Sequence, residues 1–219
     1  MSKQGVQLKR RTQEERSIHT QNVLMEAARK TLCDKGYAGL TTAEVSKRAG
    51  LSRGAQLHHY ASKQELMLAL ADHIFSAVES EIEDIARQLS DADHGVETFV
   101  TRLWEQIFSP DNYHPTTELM NAARTDPALK ERLLVRWNKL LEVYHHTWVK
   151  ALRRSGALTP KMESTLTMTL SLMRGLAYER LVRGDDPDYY RDILSTWSEI
   201  VSRMMHDETA CTPLEVVKP

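Results

Sequence analysis

The stretch GLSRGAQLHHYASKQEL, residues 50–66, carries the densest set of groups that could do chemistry. Arg53, Gln56, His58 and His59 offer donors and acceptors of the kind that meet phosphates and base edges. Gly54 would let another molecule approach the backbone closely. As a metal pair, His58 and His59 lack a third ligand at suitable spacing. Adjacent residues on a helix point about 100° apart, so at most one of the two faces a base directly. A second titratable group, Glu142 with His145 and His146, shares part of one helix and suggests a small all-α enzyme or metal-binding protein. The chain contains no HExxH spacing, nucleophile elbow or Gly-rich phosphate loop to support that chemistry.

Charge singles out the same region. The chain has 219 residues and a net charge of −1, but residues 1–63 carry 12 Lys/Arg against 5 Asp/Glu, and the remainder 17 against 25. Such asymmetry points the first quarter at a polyanion. With 41% apolar and 27% charged residues the composition is that of a folded globular protein. The basic start, MSKQGVQLKRRTQEER, leads into no apolar h-region, so no signal peptide is expected. TLTMTLSLMRGLA, the nearest approach to a membrane span, carries Arg174. A cytoplasmic protein without membrane contact is expected. Cys33 and Cys211 lie too far apart in sequence to suggest a disulfide framework or metal knuckle, and no cofactor is implied.

The elements that position these groups all read as helix, with Gly and Pro at the ends of periodic stretches and no hairpin pattern. The first helix runs from about Glu14 to Lys35 and stops at Gly36. Thr41 or Thr42 caps a short helix through Arg48, Gly50 turns the chain, and Ser52 caps another through about His59. Ser62 and Glu65 form a capping box that opens a long helix to about Ser90. Further helices are predicted at about 95–108, 116–125, 127–155, 160–183 and 187–206, punctuated by Pro110, Pro115, Pro127, Gly156, Pro160, Gly184 and Pro187.

Two short helices joined by a glycine turn have the plan of a helix-turn-helix whose second helix enters the major groove. Preceded by KGYAGLTTAEV and followed by YASKQEL, the set in residues 18–78 resembles the TetR family of bacterial transcriptional regulators. The resemblance implies an all-α chain of three parts. These are a basic arm over 1–17, a DNA-binding domain over 18–78 with its helix-turn-helix at 41–60, and a ligand-binding and dimerisation domain over 79–219. It implies that Thr42 reaches a phosphate or groove edge and that Arg53, Gly54 and Ala55 open the recognition helix after Ser52. His59 matches a frequent polar contact, Tyr60 closes the helix, and Lys63 touches phosphate. Lys9, Arg10 and Arg11 would enter the minor groove or remain a solvated tail. Two positions depart from the family pattern. Leu57 stands where a phosphate-binding tyrosine is usual and Gln56 where a buried leucine is usual. Either Leu57 turns inward and frees Gln56 for DNA, or the contact set is smaller.

The same resemblance places a ligand cavity among the middle helices, with Trp104, Phe108, Met120, Arg124, Trp137, Tyr144, Trp148 and Met168 as candidate walls. Plain core is the alternative for each. Arg124 is the residue best placed to meet an anionic or polar ligand group. In the last two helices, Leu166, Leu170, Met173, Ala177 and Leu181 form one apolar stripe and Ile193, Trp197, Ile200 and Met204 another. Each serves either the monomer's core or a homodimer interface, with Gly175 and Ala177 allowing close approach. The implied function is a homodimeric, ligand-responsive repressor on a near-palindromic double-stranded operator. A small molecule would shift the long helix from Ser62 with a coupling of about 1–3 kcal/mol. A helical interaction module without DNA binding is the third reading.

Overall fold

Helix α4, Lys63–Gln88, is the spine of the molecule. The computed structural model describes residues 12–89, 95–152 and 159–206. The basic Lys9–Arg11, Gly156, Cys211 and the tail TPLEVVKP fall outside them. Within them the order is α1 (Gln13–Gly39), α2 (Thr42–Ala49), α3 (Arg53–His59), α4, α5 (Gly95–Arg102), a π-helical turn (Leu103–Ile107), α6 (Pro110–Ala123), α7 (Pro127–Ala151), α8 (Pro160–Arg183) and α9 (Pro187–His206). Among the described residues no helix is long and apolar enough to cross a membrane.

The helix starts follow local rules. Thr12 and Glu15 bond each other's backbone N–H, so α1 begins at Gln13, inside the stretch assigned to the arm. Ser62 and Thr159 likewise accept from the third residue of α4 and α8, and Asp126 from Leu129 in α7. The helical path of α1 breaks at Gly36, where φ is 64°. That left-handed step lets the Glu118 carboxylate of α6 accept from Tyr37 N at 3.0 Å. A Cβ on Gly36 would lie 3.1 Å from the same oxygen.

One helix differs from expectation. α6 starts at Pro110 rather than near residue 116, with Pro115 inside it. A proline there leaves the carbonyl four residues earlier, Asp111, without its helical donor. Arg29 of α1 supplies one, its guanidinium donating to Asp111 O at 2.9 Å. A long-range contact thus carries the helix through a residue that locally ends it.

One apolar core runs the length of the chain. Leu24, Ala28 and Leu32 of α1 pack with Val45 of α2 and Leu66 and Leu70 of α4; Phe75 and Ile82 continue it to Phe99, Trp148, Leu166 and Tyr190. Each such fully buried side chain contributes about 1.5–3 kcal/mol. Along the seam of α4 and α7, the buried Glu79 pairs with Arg136 and Lys139, each at 2.8 Å, and Asp72 with Arg132 at 3.3 Å. The Glu79–Arg136 pair holds the register of the two helices, because breaking a buried pair leaves an uncompensated charge.

α8 corrects one expectation. Leu170, Met173 and Ala177 are buried inside the monomer and are not interface residues; only Leu181, at the end of that stripe, is exposed. The outward apolar residues are instead Met168, Tyr178, Leu181 and Val182, the last 91% exposed. The helix is apolar on both sides, so its pattern alone does not fix which side faces in. On α9, Leu194, Val201 and Met205 turn inward, while Ile200 is exposed and Ile193, Trp197 and Met204 are half-buried.

Candidate DNA interface and ligand cavity

The recognition segment is built from its caps. Thr41, not Thr42, caps α2, accepting from Glu44 N at 3.2 Å. Thr42 is the first residue of α2 and remains half-exposed. Gly50 ends the helix in the left-handed region (φ 66°, ψ 27°), and Leu51 N returns to Ser46 O at 3.0 Å. Ser52 caps α3 by accepting from Ala55 N at 3.2 Å, which orients the positive helix end outward. Ion pairs Arg48–Asp34 at 2.6 Å and Lys35–Glu44 at 2.7 Å fasten α2 to α1.

On this frame Ser52, Arg53, Gly54 and His58 are exposed, and Ala55 and His59 half-buried. Among the described residues Arg53 has no ion pair and no hydrogen bond. A Cβ on Gly54 would meet only the Ser52 hydroxyl, 3.9 Å away, so nothing inside the protein requires glycine there. The rings of His58 and His59 stand edge to face, 5.3 Å apart, and point different ways from the helix. Lys63 opens α4 with its ammonium donating to Tyr37 O at 3.1 Å and lying 4.7 Å from the Tyr37 ring centre.

Gln56 does not face outward. It is fully buried, donating from Nε2 to Tyr60 O at 2.7 Å, while its Oε1 has no partner; Leu57 is 41% exposed. The phase of α3 keeps residue 56 over the core as in the usual family pattern. The amide survives burial by tying down the end of its own helix.

The enclosed cavity lies between α4, the π-helical turn, α6, α7 and α8. Its interior is small, about 30 Å³, and is lined by Phe75, Val78, Ile107, Phe108, Tyr113, Thr116, Met120, Trp137, Leu140, Tyr144 and Arg174. Phe108, Met120, Trp137 and Tyr144 of the expected walls are therefore brought together. The other four are not. Trp148 is sealed in the core, its ring 5.1 Å from Phe99 and its Nε1 donating to Met162 O at 3.0 Å. Met168 faces outward. Trp104 packs 5.1 Å from Tyr190, under Arg180 at 4.3 Å, beside a separate surface depression. Arg124 is exposed and, with Met120 and Trp137, lines a separate open groove of about 320 Å³ outside the cavity.

The charged wall residue is instead Arg174, which sequence reasoning passed over. Its signal was present: Arg174 is the only charge between Glu163 and Glu179 in an otherwise apolar helix. Its guanidinium lies 4.6 Å from the Trp137 ring centre. Burial lowers its pKa, with the nearby Tyr144 and Tyr113 acting in the opposite direction. Burial likewise pushes the Tyr144 phenol well up. No three His, Cys, Asp or Glu side chains among the described residues are grouped to hold a metal ion, and His145, His146 and Glu142 form no such site.

Comparison with known proteins bears on both features. Residues 24–70, from mid-α1 into α4, match the family model for bacterial regulatory proteins of the tetR family. The chain is 33% identical over 183 residues to the helix-turn-helix-type transcriptional regulator CymR of Pseudomonas putida, covering 84% of this chain and 90% of the relative. It is 27% identical over 195 residues to the transcriptional repressor AcnR of Corynebacterium diphtheriae, covering 85% and 93%. A TetR-family crystal structure from Mesorhizobium loti superposes with a TM-score of 0.70 at 17% identity, covering 87% of this chain and 96% of that one; at that identity the likeness is one of fold.

Proposed function

Since the chain belongs to the tetR family of bacterial regulatory proteins and is a DNA-binding transcriptional regulator, we propose that it is a homodimeric repressor. It holds a near-palindromic operator, is released by a small molecule in the α4–α8 cavity, and works in the cytoplasm without catalysis. The DNA-binding part is taken as residues 18–78 and the ligand-binding and dimerising part as 79–219. Arg53, Gly54, Ala55 and one of the two histidines meet the major groove, while Ser52, Thr42 and Lys63 lie along the phosphates.

The observation that carries this reading is the double role of α6. Its Tyr113, Thr116 and Met120 line the cavity. Its Glu118 and Asp111 bond α1, and just beyond its end Asp126 accepts from the Tyr37 hydroxyl at 3.0 Å. Tyr37 in turn accepts from Lys63, the first residue of α4 after the recognition helix. A ligand that displaces α6 pulls on Tyr37, and through Lys63 tilts α3 relative to its partner copy. The exposed apolar face of α8 and α9, with Tyr178, Leu181, Val182 and Ile200, supports a two-fold dimer. Such a dimer sets recognition helices about 34–36 Å apart, one duplex turn.

Selection of bound sequences from random duplex DNA, followed by affinity measured against salt, tests the reading. A palindrome with half-sites one turn apart is expected, with log affinity falling steeply as log salt rises. No enriched palindrome, or a flat salt response, sinks it.

A further inference from the structure

Arg174 is the charged wall of the cavity, and its chemistry is unanswered. It projects from α8 among aromatic side chains, and among the described residues it forms no ion pair and no hydrogen bond. Its contact is with the face of Trp137. The carboxylate that acts on Tyr144, Glu81 of α4, is occupied by Asn112, whose Nδ2 donates to it at 3.1 Å. A guanidinium taken out of water without an oxygen partner is costly, and a ring face offsets only part of that cost. The Tyr144 hydroxyl beside it likewise has no hydrogen bond among the described residues although the residue is buried. Both line the small cavity with Phe75, Phe108 and Trp137, and that cavity shares Phe75, Met120 and Trp137 with an open groove of about 320 Å³.

The geometry points to an effector that is an aromatic monocarboxylate, its carboxylate held by the Arg174 fork and the Tyr144 hydroxyl and its ring stacked among Trp137, Phe75 and Phe108. Arginine presents parallel N–H groups that match a carboxylate in two bonds. Offset and edge-on packing against several rings favours a flat apolar body over a flexible chain. The same lone cation disfavours amines and leaves neutral amides without the charge-assisted bond. This rests on the cavity being the effector site; the binding measurement below contains no DNA, so failure of the repressor reading and failure of the ligand assignment are separately visible.

The test is isothermal titration calorimetry of the full-length protein with benzoate and 2-naphthoate, against benzamide, 2-naphthamide and octanoate. At least one aromatic acid is expected to bind tenfold or more tightly than its amide and than octanoate. Arg174→Met is expected to lose that preference while its affinity for the amide stays within a few-fold, and Arg174→Lys to retain part of it. Tyr144→Phe should weaken the acid a few-fold. Because Arg174→Met could misfold, its melting curve is recorded, and the acid-to-amide ratio of the unaltered protein stands as an independent readout. No binding by either acid, equal binding of acid and amide, equal binding of octanoate, or an unchanged preference in a folded Arg174→Met overturns the assignment.

Discussion

Gln56 and Arg174 are polar side chains that turn inward, one in each functional region, and they do so on different terms. Gln56, beneath the recognition helix, is fully buried and gives its amide to Tyr60 O at 2.7 Å, closing the end of its own helix. Arg174, in the wall of the cavity, has a ring face for a neighbour and space in front of it. A buried polar group answered by adjacent backbone belongs to the fold, whereas one left unanswered beside a void is available to something that arrives later. The outward residues complete the contrast. Arg53 faces solvent uncommitted, and Leu57 lies beside it at the surface where the family usually has a polar contact.

The largest expected effect separates cavity wall from core. Trp148 is sealed against Phe99, so Trp148→Ala should cost about 3–5 kcal/mol of stability. Trp137→Ala, at the half-exposed cavity wall, should cost no more than about 1–2 kcal/mol. Paired denaturant titrations read both; equal losses would mean that the cavity wall is as tightly packed as the core. Next in size, Arg53→Ala should lose about 1–3 kcal/mol of operator affinity with no change in melting, seen by fluorescence anisotropy on the selected duplex. A loss of stability of similar size in that variant would place Arg53 with the fold.

Most of the helices were legible because their ends are local. Ser52, Ser62, Pro127, Pro160 and Gly184 each act within a turn of themselves, and the expected boundaries of α3, α8 and α9 agree with those observed. What failed needed tertiary knowledge. Pro115 is a helix breaker until Arg29, 82 residues earlier in sequence than Asp111, donates to the carbonyl it leaves open. The inward side of α8 was ambiguous because both its sides are apolar. The phase of α3 could have been read by trusting the helical pattern over residue polarity, since position 56 shares a side with Tyr60 and both lean on the core. Arg174 stood out as a lone charge, yet only the packing of α8 against the cavity reveals that nothing answers it.

Gln56 offers a smaller and sharper test. Its Oε1 is buried without a partner, a condition that costs about 1–3 kcal/mol, and leucine has similar bulk. Gln56→Leu gives up the bond to Tyr60 O, but Tyr60 is half-buried and water can replace the donor. Thermal melts should therefore show a gain of about 1 kcal/mol with operator affinity unchanged. A tenfold fall in affinity with no change in stability would mean that Gln56 swings outward on DNA, and the contrast with Arg174 would collapse.

The smallest effect in stability belongs to Gly54, and its sign is what matters. Glycine in a helix is worth about 0.5–1 kcal/mol less than alanine, because its backbone is freer in the unfolded chain. No close contact in the protein asks for glycine here, as the added Cβ would sit 3.9 Å from the Ser52 hydroxyl and touch nothing else nearby. Gly54→Ala should thus raise stability slightly. If α3 presses its first turn against the duplex, the same methyl group should weaken operator binding severalfold, so that stability and affinity move in opposite directions. An alanine variant that gains in both would show that the recognition helix stands farther from the DNA at Gly54 than at Arg53, and the groove contact would then rest on the long side chains alone.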